Sequence, residues 1–171
     1  MSGYQRDRAW SDRFIPEIKN IVGPRLLCVT PDEIDQKQAA DLMVFTARSV
    51  TIAARVRRPG FLEKYRHDFT IRARRDSGAT TELEKIVDGW GDWMLYAHAA
   101  PCETRLAWWW LLDLNSFRAA LIRQATNGFA IRCGDKPNGD GTFFKWFDVR
   151  SFPKDPPLVI ACGGDEARAA A

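Results

Sequence analysis

The chain has 171 residues, of which 46% are apolar and 27% are charged, a composition typical of a globular protein with a core of its own. The formal net charge of +3 excludes any argument for nucleic-acid binding from net charge, so such an argument must rest on where the charge lies. The charged first residues exclude a signal peptide, and no apolar run approaches the ~18 residues of a membrane span. We therefore expect a cytoplasmic protein without membrane contact, with one domain over residues 1–166 and a frayed Ala-rich tail at 167–171.

The first half of the chain predicts a helical segment followed by strands. From Arg8 to Val22 apolar residues recur every three or four positions, which indicates a helix that Pro16 interrupts and that Gly23-Pro24 ends. Between Asp68 and Arg74 apolar and polar residues alternate, which predicts a half-buried strand with a basic outer face. The other strands expected in this half are Leu26–Val29, Leu42–Thr46 and Val50–Arg57, the last two joined by a turn at 47–49.

The second half predicts two helices among further strands. Thr81-x-x-Glu84 is a capping box that begins a short helix, and Asn115 or Ser116 caps a second helix that ends at Asn127-Gly128. The strands expected here are Trp93–Ala99, Leu106–Leu114, Phe129–Cys133, Thr142–Val149 and Leu158–Cys162, with a hairpin turn at 138–141. The sum is a mixed α/β domain, a central mixed sheet flanked by helices with a C-terminal β-hairpin.

Several conspicuous side chains are best explained by structure. In the strand that contains Trp108, Trp109 and Trp110, the first and third are expected in the core and the second on the opposite face. The cysteines stand at 28, 102, 133 and 162, never form C-x-x-C, and are expected to be reduced and mostly buried. Two histidines, His67 and His98, are too few for a His-rich zinc site.

Positive charge concentrates between Arg55 and Arg75. Eight Lys and Arg residues (55, 57, 58, 64, 66, 72, 74 and 75) stand there against two acids (63 and 68). Because these cations alternate with apolar residues, they line one face of the predicted strands. The pattern indicates either a solvated face or a binding surface for phosphates, with Arg55, Arg57, Arg72, Arg74 and Arg75 as the candidate nucleic-acid contacts.

The order of elements resembles the PD-(D/E)XK nuclease superfamily, the restriction-endonuclease and resolvase-like fold. The matching segments are Asp41 to Phe45, Thr51 to Arg57, Thr81 to Ile86, and Leu111 to Leu114 with the helix at 116–122. The resemblance implies a Mg²⁺-dependent phosphodiesterase, in which two acids hold the metal and a lysine helps to polarise the phosphate. Asp41 would then be the metal-binding aspartate, and Glu17 the glutamate that some members carry on the first helix.

The chain departs from that family where the (D/E)-x-K motif falls on Arg55-Val56-Arg57. Arginine cannot ligate a cation and stays protonated, although Arg57 could stabilise a charged phosphate. In one interpretation Glu82 joins Asp41 as the second metal ligand and Lys85 replaces the lysine. In the other, the site is inactive and grips phosphate through its arginines.

Ordinary roles also fit these residues. Asp41 could be a turn acid, Glu17 a solvated charge, and Glu82 with Lys85 an i,i+3 helix pair. The hypotheses are therefore a nucleic-acid-binding, Mg²⁺-dependent nuclease or a non-catalytic module on the same fold that recognises nucleic acid or a protein. A homodimer and a phage or mobile-element origin are further expectations, the origin resting on the resemblance alone.

Overall fold

The computed structural model describes residues 3–27, 49–138 and 141–164. The chain divides into two compact units, residues 1–50 and residues 51–171. Outside the described residues lie the predicted strand Leu42–Thr46, residues 47 and 48 of the turn that follows it, and the tail at 167–171. In the described part of the chain, no helix combines the length and apolar character needed to cross a membrane.

Within residues 3–27, the described part of the first unit, there are two helices, α1 (Gly3–Asp12) and α2 (Ile15–Leu27). Trp10, Phe14, Ile18 and Val22 recur every four residues and are all buried, and the first two rings meet edge to face at 5.2 Å. The predicted end at Gly23-Pro24 is wrong, because α2 continues through Pro24 to Leu27. The predicted strand at 26–29 is therefore also wrong in its first two residues, which are helical; 28 and 29 are not among the described residues.

The described residues of the second unit form seven strands and three α-helices. In chain order these are β1 (Ile52–Arg57), α3 (Leu62–Tyr65), β2 (Asp68–Arg75), α4 (Glu82–Val87), β3 (Trp93–Ala99), β4 (Leu106–Asp113), α5 (Leu114–Asn127), β5 (Cys133–Pro137), β6 (Thr142–Asp148) and β7 (Val159–Gly164), with a 3₁₀ turn at Val149–Ser151. The mixed α/β class expected from the sequence is confirmed.

The strands form two sheets. The first has the order β1-β3-β4-β7, with β1 parallel to β3 and the other neighbours antiparallel. The second has the order β2-β6-β5 and is antiparallel throughout. The predicted C-terminal hairpin is confirmed as β5 and β6, although β5 begins at Cys133 and not at Phe129.

Aromatic side chains from both sheets and from α5 build the core. Phe69 of β2 stacks on Phe147 of β6 at 5.3 Å, and Phe117 of α5 meets Phe147 edge to face at 5.1 Å. Tyr96 of β3 adds its ring at 6.3 Å from Phe69, and all four side chains are fully buried. Large buried rings of this kind supply much of the apolar area that stabilises a domain of this size.

The predicted faces of β4 are confirmed by the register. Trp108 and Trp110 lie opposite His98 and Tyr96 of β3, while Trp109 lies opposite Ala97 on the other face. Trp110 is buried in the core and Trp108 packs against its edge, with the two indoles T-shaped at 6.1 Å. The expectation of buried cysteines is wrong for Cys102 and Cys162, which are exposed; Cys133 is partly buried.

Local hydrogen bonds determine where α4 and α5 begin. Thr81 and Glu84 form the predicted capping box, with the Thr81 Oγ1 accepting from the Glu84 N–H and the Glu84 carboxylate accepting from the Thr81 N–H. The predicted cap of α5 at Asn115 or Ser116 is wrong, since Asp113 accepts from both of their N–H groups at 2.7 and 2.9 Å. Gly128 ends α5 with a positive φ of 67°, as the sequence predicts.

Candidate functional site

Two of the predicted catalytic acids cannot be placed against the rest of the site. Asp41 lies outside the described residues. Glu17 lies in the first turn of α2, in the first unit, and is partly buried. Both therefore keep the roles that the sequence suggested only as predictions.

Arg55 and Arg57 point to the same face of β1, towards the second sheet. The parallel register places them beside Tyr96 and His98 of β3. The Arg55 Nη1 donates to the Thr70 carbonyl oxygen at 2.8 Å, and the Arg57 Nη1 donates to the Tyr96 hydroxyl at 3.3 Å. β1 therefore places two guanidinium groups where it meets β2.

Glu82 joins this cluster from the start of α4. Its Oε2 lies 3.3 Å from the Arg55 Nη2 and accepts from the backbone N–H of Arg72 at 3.3 Å. Lys85, three residues further along α4, is exposed. The structure thus brings Glu82 together with Arg55. The Glu82 carboxylate, which the sequence suggested as a metal ligand, forms an ion pair with the Arg55 guanidinium.

A metal site is not apparent in the part of the chain that the structure describes. Among those residues there is no group of three or more His, Cys, Asp or Glu side chains that could hold an ion. Asp41, the other predicted ligand for Mg²⁺, is not one of them. The Mg²⁺ prediction therefore stays a prediction.

The arginines predicted to contact nucleic acid lie on aromatic rings. Arg55 and Arg72 both stand over Phe144 of β6, at 4.8 and 5.4 Å, and Arg74 stands over Phe143 at 3.7 Å. A bulge in β2 between residues 72 and 74 places Arg72 opposite Phe144 and Arg74 opposite the neighbouring Phe143 of β6. Guanidinium groups on aromatic faces are held flat and remain able to donate hydrogen bonds at their edges.

The remaining predicted arginines have distinct settings. Arg57 stands over the Phe61 ring at 4.6 Å, just before α3. Arg75 ends β2 opposite Thr142 of β6 and is partly buried. Arg55 and Arg72 therefore form one cluster with Glu82, and Arg57 adjoins it through Thr70, which also accepts from Arg55. Arg74 is exposed further along β2.

A cavity of about 290 Å³ opens beside Arg57. It is lined by Arg57, Tyr65, Asp68, Thr70, Asp135, Lys136 and Trp146. Lys136 stands over the Tyr65 ring at 5.1 Å, and Asp135 is paired with Lys145 at 3.2 Å. We call this space the small cavity; it combines cations with two aromatic rings.

A second cavity, of about 500 Å³, adjoins it and is called the large cavity below. Its lining residues are Glu63, Lys64, Arg66, His67, Asp68, Arg132, Trp146, Asp148 and Arg150. Asp68 and Trp146 line both cavities. The large cavity also collects four Lys or Arg residues within one concave surface.

Asp148 holds two of those arginines in place. Its carboxylate, 2% exposed, accepts from the Arg150 Nε at 3.0 Å and Nη2 at 2.9 Å, and lies 3.1 Å from the Arg132 Nη1. These hydrogen bonds with Arg150 lower the pKa of Asp148. Across the β2–β6 pair, burial first and the charge of Asp148 second raise the pKa of Asp68.

His98 underlies the cluster on β3. The imidazole is fully buried, and burial, followed by the charge of Arg57, lowers its pKa from 6.5 to about 4. Because the neutral ring is favoured there, the positive charge of the cluster belongs to the arginines alone.

The sequence did not reveal the β6 aromatics, the cations of β5 or Asp148 as site residues. A signal existed in the alternation Phe143-Phe144-Lys145-Trp146, which places two large rings on one strand face. Arg132, Lys136 and Arg150 are spread singly along the chain, so only the pairing of β2, β6 and β5 shows that all three line cavities beside Asp68 of β2.

Comparisons with known proteins do not indicate a function for this chain. No family model, no curated protein and no solved structure matches the chain. The two cavities and the arginine–aromatic surface beside them are therefore the observations that bear on function.

Proposed function

We propose that this protein binds single-stranded nucleic acid, with phosphates on its cations and bases on its aromatic rings. The observation that carries the proposal is the pair of adjoining cavities, which share Trp146 and present six Lys or Arg side chains among their described lining residues. Proteins that bind single strands combine a basic groove with rings on which successive bases stack.

The charges in the lining favour an anionic ligand. The cations are Arg57, Lys64, Arg66, Arg132, Lys136 and Arg150, and the acids are Glu63, Asp68, Asp135 and Asp148. Two of the four acids are already paired, Asp148 with arginines of the lining and Asp135 with Lys145. The compensation of these acids leaves the surface positive towards a strand that enters it.

The aromatic rings supply the second half of the interaction. Tyr65 and Trp146 line the small cavity and both are partly buried, and the Trp146 indole packs against Gly134. Stacking of a base on such a ring is worth about 1–3 kcal/mol and tolerates any sequence. A double helix keeps its bases inside, so this arrangement favours a single strand.

Binding without cleavage is the form of the proposal that the described residues support. Glu82 is engaged by Arg55 and by the Arg72 N–H, which opposes its use as a metal ligand. A Mg²⁺-dependent nuclease that uses Asp41 with Glu17 or Glu82, and Lys85 or Arg57 as the cation, is the alternative, and recognition of a protein partner is another. Incubation of the protein with labelled DNA and RNA in Mg²⁺, Mn²⁺ or EDTA tests the nuclease directly. Metal-dependent cutting that Asp41→Ala abolishes would establish it.

The binding test uses fluorescence anisotropy of labelled single-stranded DNA and RNA and of duplex DNA. The variants are Lys136→Ala in the small cavity and Arg74→Ala over Phe143, because both side chains are exposed and their loss leaves the core intact. Each is expected to weaken single-strand binding several-fold, whereas the control Lys154→Ala, which is exposed and lines neither cavity, keeps the wild-type affinity. Equal weakening by all three variants, or tighter binding of duplex, would contradict the proposal.

A further inference from the structure

The large cavity contains two guanidinium groups that a buried carboxylate holds in place. Asp148 is buried at the end of β6 and binds Arg150 through two hydrogen bonds and Arg132 through a third contact. The same carboxylate accepts from the Arg150 N–H at 3.0 Å, so backbone and side chain of the 3₁₀ turn are fixed together. A buried acid that holds two arginines reduces the conformational entropy they would lose on binding a ligand.

The two guanidinium groups remain accessible. The Arg132 side chain is 70% exposed and the Arg150 side chain 58% exposed, although Asp148 itself is 2% exposed. Each arginine has five N–H donors, and Asp148 uses one or two of the side-chain nitrogens in each. Donors on the other nitrogens are therefore available to an oxyanion in the cavity.

Further groups around the cavity suit an anionic ligand with several acceptor oxygens. Lys64, Arg66 and His67 come from α3 and the segment before β2, on the side of Asp68. Arg66 is itself held over the Trp108 ring at 5.1 Å. The acids Glu63, Asp68 and Asp148 in the same lining offset most of the charge of the four Lys and Arg side chains, so the feature that favours a terminal phosphate over an internal phosphodiester is the number of N–H donors. A terminal phosphate monoester carries close to two charges at pH 7 and offers three oxygens as acceptors.

Trp146 connects this cavity to the small one. Its indole packs on Gly134 of β5 so closely that a Cβ at that position would lie 2.7 Å from the Nε1. The ring is therefore fixed at the boundary of the two cavities, where the base next to a phosphate in the large cavity can stack.

We propose that the large cavity binds the phosphate monoester at the end of a nucleic-acid strand, held by Arg132 and Arg150 in the positions that Asp148 sets. This assignment rests on the proposed function for the strand that carries the phosphate. The following nucleotides extend past Trp146 into the small cavity. Asp68 limits the affinity, since its charge repels the phosphate when the carboxyl group is ionised.

The test compares single-stranded oligonucleotides of one sequence with a 5′-phosphate, a 3′-phosphate or hydroxyl groups at both ends, by fluorescence anisotropy. The wild-type protein is expected to bind one phosphorylated form about tenfold more tightly than the hydroxyl form, as for added charge-assisted hydrogen bonds. Arg150→Ala is expected to remove the preference, and the control Arg123→Ala, an exposed arginine of α5 outside both cavities, to keep it.

Two further variants test the site independently in case Arg150→Ala does not fold. Arg150→Lys keeps the charge but not the bidentate contact with Asp148, and is expected to retain only part of the preference. Asp68→Asn removes the repulsive carboxylate and is expected to strengthen binding of the phosphorylated strand more than that of the hydroxyl form. Circular dichroism of each variant checks the fold.

Titration with inorganic phosphate by calorimetry separates failure of this inference from failure of the proposed function. Strands that bind equally with and without a terminal phosphate overturn the monoester site and leave the nucleic-acid proposal standing. Phosphate that binds the wild type but not Arg150→Ala, with no strand bound, supports the anion site and overturns nucleic-acid binding. Absence of both kinds of binding overturns both.

Discussion

The burial of His98 predicts that the stability of the protein depends on pH, and it sets the size of that dependence. The imidazole is 0% exposed on β3, and neither ring nitrogen has a hydrogen-bond partner among the described residues. Burial, and then the nearby charge of Arg57, lowers its pKa from 6.5 to about 4. Because the pKa is lower in the folded state, the unfolded chain binds the proton more readily between these values, and stability rises with pH across this window. The contribution is complete above pH 6.5 and is lost as the pH falls towards 4.

The expected loss is large for one residue. At about 1.4 kcal/mol per pKa unit, the free energy of unfolding falls by about 2 kcal/mol between pH 7 and pH 5 and by about 3 kcal/mol at pH 4. Urea unfolding at pH 7 and pH 5 measures it, with His98→Leu to remove the titrating group and His67→Gln as the control at an exposed histidine. His98→Leu is expected to lose about 2 kcal/mol less than the wild type over this interval, whereas His67→Gln follows the wild type. An equal loss in the wild type and His98→Leu would refute the reasoning.

Three further predictions concern local structure. Thr81→Ala removes the capping box of α4 and is expected to lower the free energy of unfolding by about 1 kcal/mol in urea; an unchanged value would contradict the role of the cap. Gly134→Ala forces a Cβ against the Trp146 ring, so a loss of about 1–3 kcal/mol and weaker strand binding are expected, and wild-type stability and affinity would contradict this packing. The hydrogen bond from Thr104, first among several causes, lowers the pKa of the exposed Cys102 thiol to about 7, so iodoacetamide is expected to alkylate it readily at neutral pH. Thr104→Val is expected to slow that alkylation, and an unchanged rate would show that the hydrogen bond has no such effect.

Much of the second unit could be predicted because its signals are local. The strand β2, the capping box at Thr81 and the β5–β6 hairpin each depend on a few neighbouring residues, and all three are confirmed, although Thr70 on the predicted outer face of β2 is buried. The cap of α5 was misplaced because Asp113 ends a strand and begins a helix at once, so the strand pattern concealed its second role.

Features that depend on pairing between distant segments were beyond the sequence. The division of the strands into two sheets, and the parallel pairing of β1 with β3, follow from tertiary packing that periodicity does not encode. The same holds for the site. The charge of Arg55 and Arg72 was visible in the sequence. Their common ring, Phe144, lies 89 residues after Arg55 and 72 after Arg72, and it contacts them only because the strands pair.

The central claim is that a basic and aromatic surface binds single-stranded nucleic acid. The most direct measurement is the affinity of the wild-type protein for a single-stranded oligonucleotide as a function of salt concentration. The logarithm of the association constant is expected to fall linearly with the logarithm of salt, with a slope of roughly −0.7 for each phosphate neutralised and therefore near −2 to −4 for a few contacts. Binding that does not change with salt, or no binding even at low salt, would contradict the claim.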